Sequence, residues 1–142
     1  SFNVYGEGQE TGMVIPYVIG SCLLGNEISA TKGEQTREYN HVSDIVDGLI
    51  LSAEVDRAWG EIINLGCGFE ISIKELITKI ANKIDKSLKI NFGAKPYREN
   101  EIWRMFCDNS KAKRILKWEP KIDLDTGLNQ TIKWYDDYLK EK

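Results

Sequence analysis

The sequence predicts a small mixed α/β domain, and three observations lead there. Short runs rich in β-branched and aromatic residues alternate with longer runs of helical period along the 142 residues. The connections are polar and glycine-bearing, with no internal repeat and no low-complexity stretch. The strands are too few and too short to build a complete doubly wound parallel sheet.

Taken in order, residues 2–5 (FNVY) read as the end of a strand, followed by the turn GEGQETG. MVIPYVIGSCLL (13–24) has helical spacing, and Pro16 is compatible because it falls in the first turn, where its missing N–H leaves no carbonyl unpaired. Residues 27–31 and 36–42 read as short strands. Ser43 is expected to cap a helix whose apolar stripe is Ile45, Val46, Leu49, Ile50 and Ala53. EIINLG (61–66) reads as a buried strand. Ser72 and Glu75 form an S-x-x-E capping box ahead of Ile73, Leu76, Ile77, Ile80, Ala81 and Ile84. KINFG (89–93) is a further strand, and a loop through Arg98 follows it. A short helix over 110–117 stops before Pro120, and a last helix presents Leu124, Leu128, Ile132, Tyr135 and Leu139.

Composition narrows the function. A net charge of −3 weighs against a nucleic-acid partner, because phosphate backbones select a basic face, but it leaves room for one small anion held by a few placed cations. No apolar run approaches the ~20 residues of a membrane-spanning helix. Cys22, Cys67 and Cys107 are too far apart, with only His41 to join them, for a metal site. Reduced thiols in a cytoplasmic protein fit that pattern.

Two glycine clusters test for a dinucleotide loop, and both fall short. GEGQETG has its third glycine one residue too late, and GCGFEIS has Ile71 where that glycine belongs. No nucleophile elbow accompanies His41, which alternates with Tyr39 in a strand and reads as structural, so no catalytic constellation is found. What remains are polar residues at element ends: Asn3, Arg37, Asn64, Arg98 and Glu101. An amide inside an apolar strand needs a partner, and arginine forks suit phosphate. By residue type alone, Arg37 is open between a surface charge and an anion contact.

The ordered set SFNVYG, GEQTREYNHVSDIVDGL, GEIINLGCGFEISIKEL, RENEIWRMFCDNSKAKRILKWEPK and GL-x-x-TI-x-WY (Gly127 to Tyr135) spans essentially the whole chain. In that order it resembles the extended short-chain dehydrogenase/reductases, and more narrowly the C-terminal part of NAD-dependent nucleotide-sugar epimerases and 4,6-dehydratases. The resemblance implies that residues 1–142 form the nucleotide-sugar-binding domain of a longer enzyme, with 1–6 closing its last Rossmann strand. The glycine-rich NAD loop and the YxxxK catalytic pair would lie in the preceding part, so the chain alone is expected to be catalytically inactive and to bind no cofactor. NAD or NADP would be held mainly by that other domain, which oxidises the sugar at C4.

Residue by residue, the resemblance places Asn3 and Arg37 at the substrate diphosphate, with Tyr39 near the substrate. Ser1 and Phe2 fall close to the nicotinamide. Met13, Val14 and Pro16 open the helix bordering base and phosphates, and Asn64 lies on the nucleotide side. Arg98 and Glu101 match the first and last residues of an RPG(D/E) pattern, at phosphate and ribose. Two positions depart from it: Glu99-Asn100 stand for Pro-Gly, and Glu38 stands where aspartate is commoner. A parent of the 4-epimerase type is expected, with a 4,6-dehydratase, a reductase or a non-catalytic interaction module of the same fold as alternatives. The expected partners are a nucleotide-diphosphate sugar and the parent's own Rossmann domain, with no nucleic acid, no membrane and a docking face open to self-association.

Overall fold

The computed structural model describes residues 3–141. Three small sheets share the work of a larger one. Strands β1 (Asn3–Tyr5) and β4 (Tyr39–His41) pair in parallel, with Asn3 beside Tyr39 and Tyr5 beside His41. Strands β2 (Ile28–Ala30) and β6 (Ile90–Phe92) form a second parallel pair. In the third sheet β3 (Thr36–Arg37) is central, antiparallel to β5 (Ile71–Ser72) and parallel to β7 (Arg104–Met105).

The helices are α1 (Val14–Leu23), α2 (Val42–Glu54), α3 (Ile73–Ile84), α4 (Ser110–Leu116) and α5 (Leu124–Lys140). Helix α3 begins with both halves of its capping box in place, as its sequence requires: the Ser72 hydroxyl accepts from Glu75 N at 3.1 Å, and the Glu75 carboxylate accepts from Ser72 N at 3.1 Å. Its stripe of Leu76, Ile77, Ile80 and Ala81 meets Ile15, Val18, Ile19 and Cys22 of α1 in the main core, where Tyr5, Tyr39, Leu128 and Tyr135 complete the filling. A second core gathers Ile45, Ala58, Leu65, Ala112, Leu116 and Trp118 under α2 and α4. Gly48 makes that contact possible, since a Cβ there would stand 2.8 Å from the Leu65 side chain. Buried Asp44 ties the same core to the segment before α5 by accepting from Lys121 N at 2.9 Å and Ile122 N at 3.0 Å.

The structure corrects four expectations. The cap of α2 is His41, not Ser43: His41 keeps extended backbone angles and its Nδ1 accepts from Ser43 N at 3.4 Å, while Ser43 is already helical. The apolar stripe of α2 is largely unpartnered, with Ile45 buried but Val46, Leu49 and Ile50 exposed at 46%, 59% and 51%. The stretch 36–42 is two strands in different sheets, because the chain changes sheet at Glu38. EIINLG belongs to no sheet. Side chains hold the turn that follows it, through Cys67 N to Asn40 Oδ1 (2.7 Å) and Asn109 Nδ2 to Gly66 O (2.8 Å).

Candidate functional site

The site expected from the sequence centres on the chain crossing from β3 to β4. Arg37 ends β3 with its side chain only 14% exposed. Its Nη1 donates to the Thr36 carbonyl at 2.7 Å, and its Nη2 donates to Glu101 Oε1 at 2.7 Å. Glu101 is itself 11% exposed, so this is an ion pair largely withdrawn from water across 64 residues of sequence. Such pairs keep more of their Coulomb attraction than solvent-exposed ones, though desolvation offsets part of it.

Glu38, next along the chain, is fully buried. Its Oε2 accepts from Gly68 N and from Cys107 N, each at 3.1 Å, and its Oε1 accepts from Asn40 Nδ2 at 3.2 Å. Its backbone is equally engaged: the carbonyl accepts from Asn3 Nδ2 at 3.1 Å, and the N–H donates to Met105 O at 3.1 Å. One residue thus fixes β1, β3, the 66–68 turn and the β7 exit relative to each other. Gly66 leaves the carboxylate room, because a Cβ there would fall 2.2 Å from Glu38 Oε1. Sequence reasoning noted Glu38 only as standing where aspartate is commoner. The signal available was a carboxylate at an inward strand position beside a predicted anion contact, where burial demands partners.

Beyond this hub, the Thr36 hydroxyl donates to Glu70 Oε2 at 2.5 Å, and Arg104 Nε donates to Glu70 Oε1 at 3.0 Å while stacking over the Phe106 ring. The Arg104 and Thr36 bonds hold the Glu70 carboxyl below its ordinary range. This cluster was not foreseen, since it depends on the two short strands flanking β3.

The other expected residues are more dispersed. Tyr39 is buried in the main core, with its ring edge-on to Tyr5, and burial pushes its hydroxyl above the ordinary tyrosine range. It also borders a cavity of about 790 Å³, with Phe69, Ile71 and Leu124 among its apolar lining and Lys79 and Lys113 among its charged lining. Arg37, Asn3 and Glu101 are not among that cavity's lining residues. Asn64 is exposed, on the irregular segment leading into the clamped 66–68 turn. Arg98 is exposed on the loop before β7, without a hydrogen-bond or ion-pair partner among the described residues. At the head of α1, Met13 is 49% exposed and Pro16 is buried. Val14, the first residue of that helix, packs against the main core. Ser1 and Phe2 lie outside the described residues. The structure therefore brings Asn3, Arg37 and Glu101 together around Glu38, and leaves Arg98 and Asn64 on neighbouring segments.

The turn between β1 and α1 is a strand–glycine–helix arrangement resembling a dinucleotide cradle, and it does not fit one. Gln9 folds back onto the Val4 carbonyl at 2.8 Å, and the Tyr135 hydroxyl donates to the Gln9 carbonyl, so α5 closes the turn from outside. A Cβ at Gly6 would meet Val42 at 2.6 Å, leaving no space beside the backbone there for a pyrophosphate.

Comparison with known proteins identifies the family and the fold. The family model described as GDP-mannose 4,6 dehydratase matches residues 1–131. UDP-glucuronic acid decarboxylase 1 of Arabidopsis thaliana is 34% identical over 134 residues, covering 92% of the chain and 30% of that protein. The crystal structure of the UDP-glucose 4-epimerase of Thermotoga maritima with UDP-glucose superposes with a TM-score of 0.86 at 29% identity, covering 97% of this chain and 45% of that one. The MoeE5 structure with UDP-glucose and NAD gives the same TM-score of 0.86 at 29% identity, over 97% of this chain and 46% of the other. The chain thus spans less than half the length of the relatives it matches.

Proposed function

We propose, for a chain that belongs to the GDP-mannose 4,6-dehydratase family of NAD-dependent nucleotide-sugar epimerases and dehydratases, that residues 1–142 are the part that recognises the nucleotide-sugar. The observation that carries this reading is the Arg37–Glu101 pair. Two residues 64 positions apart, placed at diphosphate and ribose by the family resemblance, meet at the end of β3, with Asn3 one hydrogen bond from the adjacent Glu38. A diphosphate carries about two negative charges, and a planar guanidinium with an amide donor beside it is matched to such a group. Met13, Val14, Pro16, Tyr39, Asn64 and Arg98 complete the contact set, on the base, sugar and outer phosphate sides.

The parent activity is of the 4-epimerase type. NAD binding belongs to the remainder of the parent, because the chain's own glycine turn is closed by α5. That remainder docks on the unpaired side of β1 and on the Val46, Leu49 and Ile50 face of α2, an exposed stripe with helical spacing suited to a partner surface. Separated from it, the chain is inactive, resides in the cytoplasm and self-associates through that face. Light scattering tests the last point: a Leu49→Glu variant is expected to be monomeric, and a wild-type chain already monomeric at high concentration overturns the self-association.

Calorimetric titration with UDP tests the binding reading. Weak binding by the wild-type chain, lost by roughly tenfold or more in Arg37→Ala, supports it; charge-assisted contacts of this kind contribute about 1.5–3 kcal/mol. Affinity unchanged by Arg37→Ala contradicts it.

A further inference from the structure

We propose that Glu101 is a resident counter-anion: its carboxylate occupies the Arg37 fork in the free domain, and a diphosphate binds by displacing it. This rests on the reading of Arg37 as the diphosphate contact and adds a competitor built into the same site.

Three features of the site support displacement. First, the Arg37 guanidinium is already engaged on both terminal nitrogens, by the Thr36 carbonyl and by Glu101, each at 2.7 Å. Each terminal nitrogen keeps one further N–H, but a phosphate oxygen taking the Nη2 position that the carboxylate holds must displace Glu101. Second, the local charge does not favour an anion while Glu101 stays. Arg37 is matched one to one by Glu101, and the buried Glu38 carboxylate follows it in sequence. Release of Glu101 is what exposes a net cation.

Third, Glu101 lies on a span that can move without disturbing the fold. Residues 98–102 are bounded by two fixed ends. At one, the Tyr97 hydroxyl donates to Glu34 Oε2 and accepts from Glu34 N, each at 3.0 Å, with the Tyr97 ring edge-on to Trp103. At the other, the Trp103 carbonyl accepts from Thr36 N at 2.8 Å. Between these ends, the side-chain tie to the body of the domain among the described residues is Glu101 to Arg37. Glu99 and Asn100 at the turn are exposed, and no proline ring restricts their backbone. Arg98, three residues before Glu101 and exposed, is carried by the same span. One movement of the span withdraws the carboxylate and presents a second cation. Glu101 therefore sets a threshold for occupancy: a group must offer more negative charge than one carboxylate to hold Arg37, which favours a diphosphate over a nucleoside.

Inorganic pyrophosphate separates this competition from any ribose contact made by Glu101. Titrated into the 142-residue chain and followed by backbone amide shifts, pyrophosphate is expected to bind Glu101→Gln roughly 3- to 10-fold more tightly than wild type, the range for loss of a partly screened ion pair. Arg37→Ala is expected to abolish binding in either background. On the wild-type chain, the Glu101 side-chain carboxyl carbon should shift on saturation as the carboxylate leaves the guanidinium, a readout that needs no variant. Equal or weaker binding by Glu101→Gln, or a carboxyl resonance that stays in place, overturns the displacement while leaving Arg37 as the contact. Pyrophosphate binding that survives Arg37→Ala overturns the reading of Arg37 itself, and with it this proposal.

Discussion

Replacing Glu38 should be the most damaging single change near the site, and its size follows from the hydrogen bonds it makes. Glu38→Ala removes the acceptor for Gly68 N and Cys107 N, both 3.1 Å from one carboxylate oxygen, and for Asn40 Nδ2 on the other. Cys107 and Asn40 are buried, so their donors gain no ready access to bulk water. A hydrogen bond to a charged group contributes about 1.5–3 kcal/mol, and a buried donor left unpaired costs about 1–3 kcal/mol. Water entering the vacated space restores part of this, and the carboxylate's own desolvation cost disappears. The net loss is expected to be about 3 kcal/mol, a large share of the ~5–15 kcal/mol that holds a domain of this size. Glu38→Gln should lose less, about 1–2 kcal/mol: the amide oxygen still serves the two backbone donors, but its NH2 then faces the Asn40 amide. Urea denaturation with a common slope measures both. An alanine variant within ~0.5 kcal/mol of wild type, the range of ordinary surface substitutions, refutes the hub.

Two further outcomes follow from the packing and the charges. Gly48→Ala on α2 should destabilise by about 1–3 kcal/mol, although alanine is the better helix former, because its Cβ would lie 2.8 Å from Leu65 and 3.2 Å from Trp118 Nε1. Thermal melts of the variant check the sign. Acid should weaken the fold through Glu75, Asp123 and Asp125, whose carboxyls are held below their ordinary range by Ser72, Thr126 and the Lys83 and Lys79 side chains respectively. A depressed folded-state value means that this stability is present above the unfolded carboxylate range near pH 4 and is lost as pH falls through the folded values. Melting temperature should therefore be flat from pH 7 to about pH 5 and fall below it, and a rise on acidification contradicts the assignment.

Much of the helical framework was legible because its signals are local. The capping box of α3 and the helical spacing of apolar residues in α1 are decided within one or two turns of chain, and both appear as expected. The last helix starts where Leu124 was placed, but its most buried residues are Gly127, Leu128, Thr131 and Tyr135. The face is rotated toward glycine and threonine, since β1 and β4 approach so closely that a Cβ at Gly127 would meet the Tyr5 hydroxyl. The short strands β5 and β7 were not legible. Two residues carry no period, and each exists only because β3 offers it a ladder. The stripe on α2 was read correctly as apolar, yet periodicity shows that a face is hydrophobic and not what covers it.

At the site, the types of Arg37 and Glu101 were readable but their meeting was not. The pair joins a strand to a loop across 64 residues, and only the β3–β7 ladder brings the two segments together. Glu38 was hidden for the same reason. Its partners come from residues 40, 68 and 107, and no local pattern links them.

The most direct test of nucleotide recognition by this chain is its crystal structure saturated with UDP. A diphosphate oxygen should lie within hydrogen-bond distance, about 3 Å, of the Arg37 guanidinium, with Asn3 alongside and Glu101 withdrawn. UDP seated elsewhere, such as the cavity bordered by Phe69 and Leu124, with the Arg37–Glu101 pair intact, would contradict it.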